Sequence, residues 1–233
     1  MAFKMQTEHN IATEFDKFSV NYTTDMIGCV PHYLDLLASF TKDLPREFFP
    51  YQILDLGCGN GNVTSEVLKL FPDSNYTLLD ASDEMIRICK QRFQQYPMTY
   101  ITSYFQDHVF EENLNDMVVA GFSLHHCHSE EKKRLFKAIF HSLKNAGIFG
   151  FSDLMIDKNS PEHPELIKEW KSFVFKSFPD GEKWNWLMDH YRDYDKPDDY
   201  KNQITWLYEA GFNDVKIVMR QDYWIHIRAT KQT

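Results

Sequence analysis

The run Ile53-Leu54-Asp55-Leu56-Gly57-Cys58-Gly59-Asn60-Gly61-Asn62-Val63-Thr64 decides how the rest of the chain is read. It opens as a short apolar strand and breaks into three glycines spaced two apart. It then resumes with Val63, Val67, Leu68 and Phe71 at helical spacing. Strand, glycine turn and helix in that order make a ligand site. Glycine tolerates positive φ and lets a ligand approach the backbone, while a helix N-terminus offers unpaired N–H groups and partial positive charge. Asn62 is the expected cap of that helix. Dinucleotide enzymes space their glycines G-x-G-x-x-G, which after Gly57 and Gly59 would place the third at position 62, where Asn62 stands.

The totals narrow the field. A chain of 233 residues fits one α/β domain over 1–233, and 43% hydrophobic residues with 15% aromatics suffice for a core. A formal net charge of −9 argues against nucleic acid or an anionic membrane as partner, because such binding needs clustered Lys and Arg. No apolar run is long enough to span a bilayer and no signal peptide is visible. Cys29, Cys58, Cys89 and Cys127 form no C-x-x-C pair. A cytoplasmic protein, monomer or homodimer, is expected.

With Asp55 at its head, the pattern D-x-G-x-G-x-G resembles motif I of the class I S-adenosylmethionine (SAM) methyltransferases. The resemblance runs over about residues 50–230. Strands are expected at Tyr76–Leu79, Thr99–Phe105, Met117–Ala120 and Ile148–Phe151, and Ala210-Gly211-Phe212 precedes a terminal pair at Val215–Met219 and Tyr223–Ala229. The implied fold is Rossmann-like α/β, with a seven-stranded, mostly parallel sheet whose last strand is antiparallel. Helices would cover the site at 1–50, with Phe15, Phe18 and Tyr22 on one face, and a helical, aromatic insertion would lie at 153–203.

Residue by residue, the resemblance implies SAM as cofactor. Asp55, Gly57, Cys58, Gly59, Ala120, Gly121 and Tyr22 would lie at its methionine end. Asp80 ends the second strand 23 positions beyond Gly57, near the roughly 20-residue offset that puts a carboxylate on ribose hydroxyls. Met85 would sit beside the adenine and Asp107 at its amino group, with Ala81 and Gln106 also among the cofactor-binding residues. Ser82 is expected to cap the helix carrying Met85, Ile86, Cys89 and Phe93.

The acceptor side is read from chemistry. His125, just beyond the fourth strand, is the candidate catalytic base, since imidazole titrates near neutral pH; a histidine packed under the following helix is the alternative. Trp170, Phe173, Trp184 and Tyr191 are candidate walls for a small, apolar or aromatic acceptor. No metal is expected, because the adjacent His125, His126, Cys127 and His128 do not easily converge on one ion. Asp25-Met26-Ile27, Val30-Pro31 and Tyr33 are also similar to the N-terminal region of carboxy-SAM synthases. Aligned from Ala210-Gly211-Phe212, however, the arginine that family uses for the cofactor carboxylate falls at Trp206. A non-catalytic SAM-binding partner protein is a further alternative.

Overall fold

The computed structural model describes residues 21–232, so Phe15 and Phe18 lie outside the described part. At the centre stands β1 (Gln52–Leu56), parallel to β2 (Asn75–Asp80) on one side and β4 (Asn115–Gly121) on the other. The sheet continues through β3 (Met98–Thr102) at one edge. At the other it runs through β5 (Leu143–Leu154), β7 (Trp224–Thr230) and β6 (Asp214–Gln221), in the order β3-β2-β1-β4-β5-β7-β6. Only β7 runs against its neighbours. The expected seven-stranded sheet is the one observed.

Helices cover both faces, so β1 is buried from Ile53 to Leu56. Ile53, Met117 and Val119 face one core with Val63, Val67, Leu36 and Trp170, while Leu54, Val118 and Ala120 face a second core with Phe136, Ile139 and Leu207. That division follows from the alternation of side chains along a strand. On the first face lie α1 (Tyr22–Cys29), α2 (Tyr33–Ala38), α3 (Asn62–Leu70) and α4 (Asp83–Arg92), with α6 (His163–Ser177) and α7 (Glu182–Asp193) from the expected insertion. On the second lie α5 (Ser129–Ser142) and α8 (Tyr200–Ala210).

Two expected boundaries move. β3 stops at Thr102, and residues 103–105 turn out of the sheet. β5 begins at Leu143, ahead of the expected Ile148, and Asn145-Ala146-Gly147 form a bulge inside it. Pairing with β4 jumps from Asn115↔Leu143 to Met117↔Ile148, and Ala146 takes φ 62°.

The hairpin β6–β7 holds the N-terminal helices down. Arg228 donates to the carbonyls of Ser39, Lys42 and Asp43 beyond α2, at 2.6–3.2 Å. His226, fully buried, shares Nδ1 with Ser39 Oγ (2.7 Å) and Ser152 Oγ (3.1 Å) beneath Phe40.

Candidate active site

Strand order reverses between β1 and β4, so the loops leaving their carboxyl ends diverge and open a crevice. After Leu56 the chain folds over the end of β2, where Gly57 and Cys58 both donate to the Leu79 carbonyl (2.7 and 3.0 Å). Gly57 has φ 68°, and a Cβ there would come 2.4 Å from Ser123 Cβ, so neither its conformation nor its space admits a side chain. Gly59, at φ 52°, has only Tyr22 across from it, with the hydroxyl 3.6 Å from where a Cβ would stand. A side chain there would fill the crevice.

Asp80 closes this corner. Its Oδ2 accepts the Gly59 N–H (2.8 Å) and its Oδ1 the Ser82 N–H (2.9 Å), which fixes the carboxylate at the end of β2, in the lining of the crevice. Ser82 caps α4 by accepting from Met85 N, as expected. The crevice, about 770 Å³, is lined by Tyr22, Gly57, Gly59, Asp80, Ala81, Met85 and Gln106. Ser103, Tyr104, Phe105, Phe122, Ser123, His126, Cys127 and Glu131 complete its wall.

Five other expected cofactor residues stand elsewhere. Asp55 is buried and turned to α3, where Oδ2 accepts the Thr64 N–H (3.1 Å) and hydroxyl (2.5 Å). Asp55 thus does the capping expected of Asn62. Desolvation pushes its carboxyl up to about 7, against the Thr64 hydrogen bonds, which pull it down. Asn62 instead receives Arg92 (2.8 Å) and Thr23 (3.1 Å) and donates to the Tyr33 hydroxyl (2.9 Å), tying α1, α2 and α4 to the glycine loop. Cys58 is buried against Cys89, the sulfurs 3.9 Å apart. Ala120 faces the second core, and a Cβ at Gly121 would run into Val63 at 2.4 Å. Asp107 is exposed, because β3 ends early and the crevice side falls to Gln106.

Beyond Tyr22, Phe122 and His126, which belong to both, lies a second cavity of about 710 Å³. Trp170 and Tyr191 line it as expected, with Trp186, Leu187, Trp224 and Met26. Trp184 is buried behind Trp170, the rings 6.0 Å apart edge to face, and Phe173 packs on the outside of the same core, so neither reaches the cavity.

One end of this cavity is polar. His125 Nδ1 is 2.5 Å from Asp153 Oδ1, and the other Asp153 oxygen accepts the His125 N–H (2.9 Å). Burial pulls the His125 imidazole down, but Asp153 and Asp195 outweigh it and hold it above its ordinary value. Burial, then His125 and His190, push His126 well below.

Asp195 comes from the segment after α7. Lys196 N donates to the His125 carbonyl (2.6 Å), and Lys158 Nζ grips the carbonyls of Tyr191 and Asp195 (2.6 and 2.8 Å). Lys132, buried under α5, holds Lys196 O and Asp198 Oδ2, both at 2.6 Å. The expectation that these histidines cannot converge therefore fails in part. Two neighbours on the short Leu124–His126 turn bring their rings within 4.1 Å, and a distant acid supplies the third group.

Residues 53–147 match the methyltransferase domain family. Over those residues the chain is similar to the class I SAM-dependent methyltransferases. Its relatives include the carboxy-SAM synthases of Campylobacter fetus subsp. fetus, 26% identical over 69% of each chain, and of Nautilia profundicola, 25% identical over 89% of each. The fold is also that of human N-acetylserotonin methyltransferase in complex with SAM, with a TM-score of 0.62 at 18% identity. That likeness covers 95% of this chain and 57% of the human one. As a SAM-dependent methyltransferase, the chain has a crevice whose donor set fits SAM. A side-chain-free backbone at Gly59 leaves room for an amino-acid tail, and the fixed Asp80 carboxylate can accept two hydroxyl donors.

Proposed function

We propose that this methyltransferase acts on a small acceptor with an apolar or aromatic body, held in the second cavity with its reacting atom beside His125. The observation that carries this reading is the shared wall of Tyr22, Phe122 and His126, which sets the glycine loop and Asp80 on one side and the aromatic cavity on the other. When bound, SAM supplies a sulfonium methyl open to in-line attack. Asp80 would take ribose hydroxyls, and Met85, Ala81 and Gln106 the base. Trp170, Tyr191 and Trp224 would exclude water and align the acceptor, a contribution on the order of 7–11 kcal/mol in well-oriented reactions. Asp153 fixes the His125 ring with Nε2 away from it, so Nε2 is the atom that receives an acceptor proton.

A second reading, carboxy-SAM synthase, is favoured by the two relatives of that name. Against it, Trp206 packs beside Lys133 at 5.1 Å and lines neither cavity, and among the described residues no Lys or Arg lines either one. A carboxylate would meet no bidentate cation there. A cytoplasmic setting, with no nucleic-acid or membrane partner, remains the reading from composition; among the described residues no helix is long and apolar enough to cross a membrane.

Calorimetric titration with SAM, S-adenosylhomocysteine and NAD tests the crevice. Micromolar binding of the first two is expected. Asp80→Ala should lose about 100-fold or more, since hydrogen bonds to a charged group contribute roughly 1.5–3 kcal/mol each. Retained affinity in that variant, or tighter NAD, overturns the assignment. The mass of the product formed from SAM separates methylation from carboxy-SAM synthesis.

A further inference from the structure

The polar end of the acceptor cavity has a geometry that hydrogen bonding does not explain. His125 Nε2 lies 3.6 Å from Asp195 Oδ1, His126 Nδ1 3.4 Å, and His190 Nε2 3.4 Å. One donor atom from each of His125, His126 and Asp195 falls within 4.8 Å of the other two. The Asp195 side chain is nine-tenths buried, and Oδ1 accepts no hydrogen bond of ordinary length among the described residues. An N–H···O bond spans about 2.7–3.2 Å. Ligands on a tetrahedral ion, with bonds of about 2.0–2.2 Å, stand about 3.4 Å apart. The two imidazole-to-carboxylate spacings are of the second kind, and the two imidazoles lie within 4.8 Å of each other.

The surroundings agree. His125 Nδ1 is committed to Asp153, so its Nε2 lone pair is directed at a carboxylate oxygen in a largely closed site. A buried carboxylate facing ring nitrogens needs positive charge beside it, from a bound cation or a protonated ring. Carboxylate–imidazole–ion is also the arrangement by which proteins orient a ligating histidine. The backbone of Tyr194 is a partner of His126.

We propose that His125 Nε2, His126 Nδ1 and Asp195 Oδ1 bind one divalent first-row transition ion, of the Zn²⁺ or Fe²⁺ kind, with its open positions toward the acceptor cavity. Two imidazoles and one carboxylate leave room for water or a chelating oxygen. Among the described residues no Lys or Arg lines the cavity, so the ion supplies the positive charge that holds and acidifies a hydroxyl or enol oxygen of the acceptor. That role, though not the site, rests on the methyl-transfer reading. In the loaded protein acidification by the ion replaces proton acceptance at His125, because Nε2 cannot serve both.

The test uses the full chain, stripped with chelator and titrated with Co²⁺, with Zn²⁺ as competitor. Wild type should bind one Co²⁺ per chain with visible ligand-field absorption, displaced by Zn²⁺. Asp195→Asn and His126→Gln should each weaken Co²⁺ by at least about 100-fold, and Asp153→Asn by about 10–100-fold. SAM affinity in Asp195→Asn and Asp153→Asn, which lie outside the crevice, should stay within about threefold, which shows that they fold. Asp80→Ala should lose SAM and keep the Co²⁺ spectrum. Absence of a saturable one-to-one Co²⁺ spectrum in wild type, or undiminished binding in Asp195→Asn and His126→Gln, overturns the site and leaves a protonated His125 between two acids. Failure of SAM to bind while Co²⁺ does overturns the methyl-transfer reading alone.

Discussion

The crevice takes its shape from backbone: two glycines at positive φ, strand ends, and one carboxylate held by two N–H groups. The cavity beside it is made of side chains. Trp170 of α6 meets Trp184 and Tyr191 of α7 and Trp224 of β7, with ring centroids 5.2–6.0 Å apart at nearly right angles. The first kind of site is stiff and local in sequence. The second depends on distant segments packing together, so stability and acceptor binding should be coupled there, and SAM binding should stand apart.

The largest effect tests what holds the shared roof. His226, under Phe40 behind α2, is driven down to about 3 by burial and by Arg228. Between its ordinary value and 3 the unfolded chain binds a proton that the native one does not, so this group's contribution is lost as pH falls through that window. The difference is on the order of 5 kcal/mol. Asp55 works in the opposite direction. Its carboxyl, at about 7, keeps a proton that the unfolded chain gives up near 4, so its contribution falls as pH rises between the two. The slopes oppose each other over the acid range. Urea unfolding without SAM should therefore show stability rising more steeply with pH in Asp55→Asn than in wild type. An unchanged slope would mean that the Asp55 carboxyl is not held up by burial as described.

Next comes the aromatic wall. Trp170→Ala should cost about 3–5 kcal/mol, as large-to-small core substitutions do, and raise the acceptor KM. SAM affinity measured on the folded fraction should hold. If it falls in step, the cavities are one cooperative unit and the contrast drawn above is wrong.

The same contrast governs what was legible beforehand. Gly57, Gly59, Asp80, Ala81 and Met85 could be placed because strand, glycine loop and helix fix one another within 35 residues. Asp55 and Cys58 share that motif and Ala120 and Gly121 end the neighbouring β4, yet alternation and tight turns point them into the protein. A spacing locates the backbone without saying which way each side chain leaves it. Asp195, His190 and Trp224 carried no local signal. Asp195 reaches His125 because Lys132, Lys158 and Lys196 pin the segment after α7, whereas His190 comes from α7 itself and Trp224 from β7. Trp170 and Trp184 are both aromatic residues of the insertion, and only packing decides that one lines the cavity and the other backs it.

A smaller effect separates strain in the two regions. Gly59 (φ 52°) and Gly181 (φ 82°), the residue preceding α7, are both left-handed. Alanine at either position should cost about 1–2 kcal/mol of stability. Gly59→Ala should also weaken SAM, since its methyl enters the crevice beside Tyr22. Gly181→Ala meets only the end of the Phe175 ring, at 3.3 Å, and should leave SAM binding alone. Equal losses of SAM affinity would show that the crevice responds to strain anywhere in the fold.

The smallest expected effect lies inside the wall itself. Tyr191 donates or accepts a hydrogen bond with His163 Nε2 at 2.9 Å, while its ring is stacked on His163 and set edge-on to Trp170. Tyr191→Phe removes the hydroxyl and keeps the ring, so it should cost about 1 kcal/mol in urea unfolding. The acceptor KM should change less than in Trp170→Ala, because the surface facing the cavity keeps its shape. A KM change as large as that in Trp170→Ala would mean that the acceptor reads the hydroxyl, and the wall would then be a polar recognition surface as well as an aromatic enclosure.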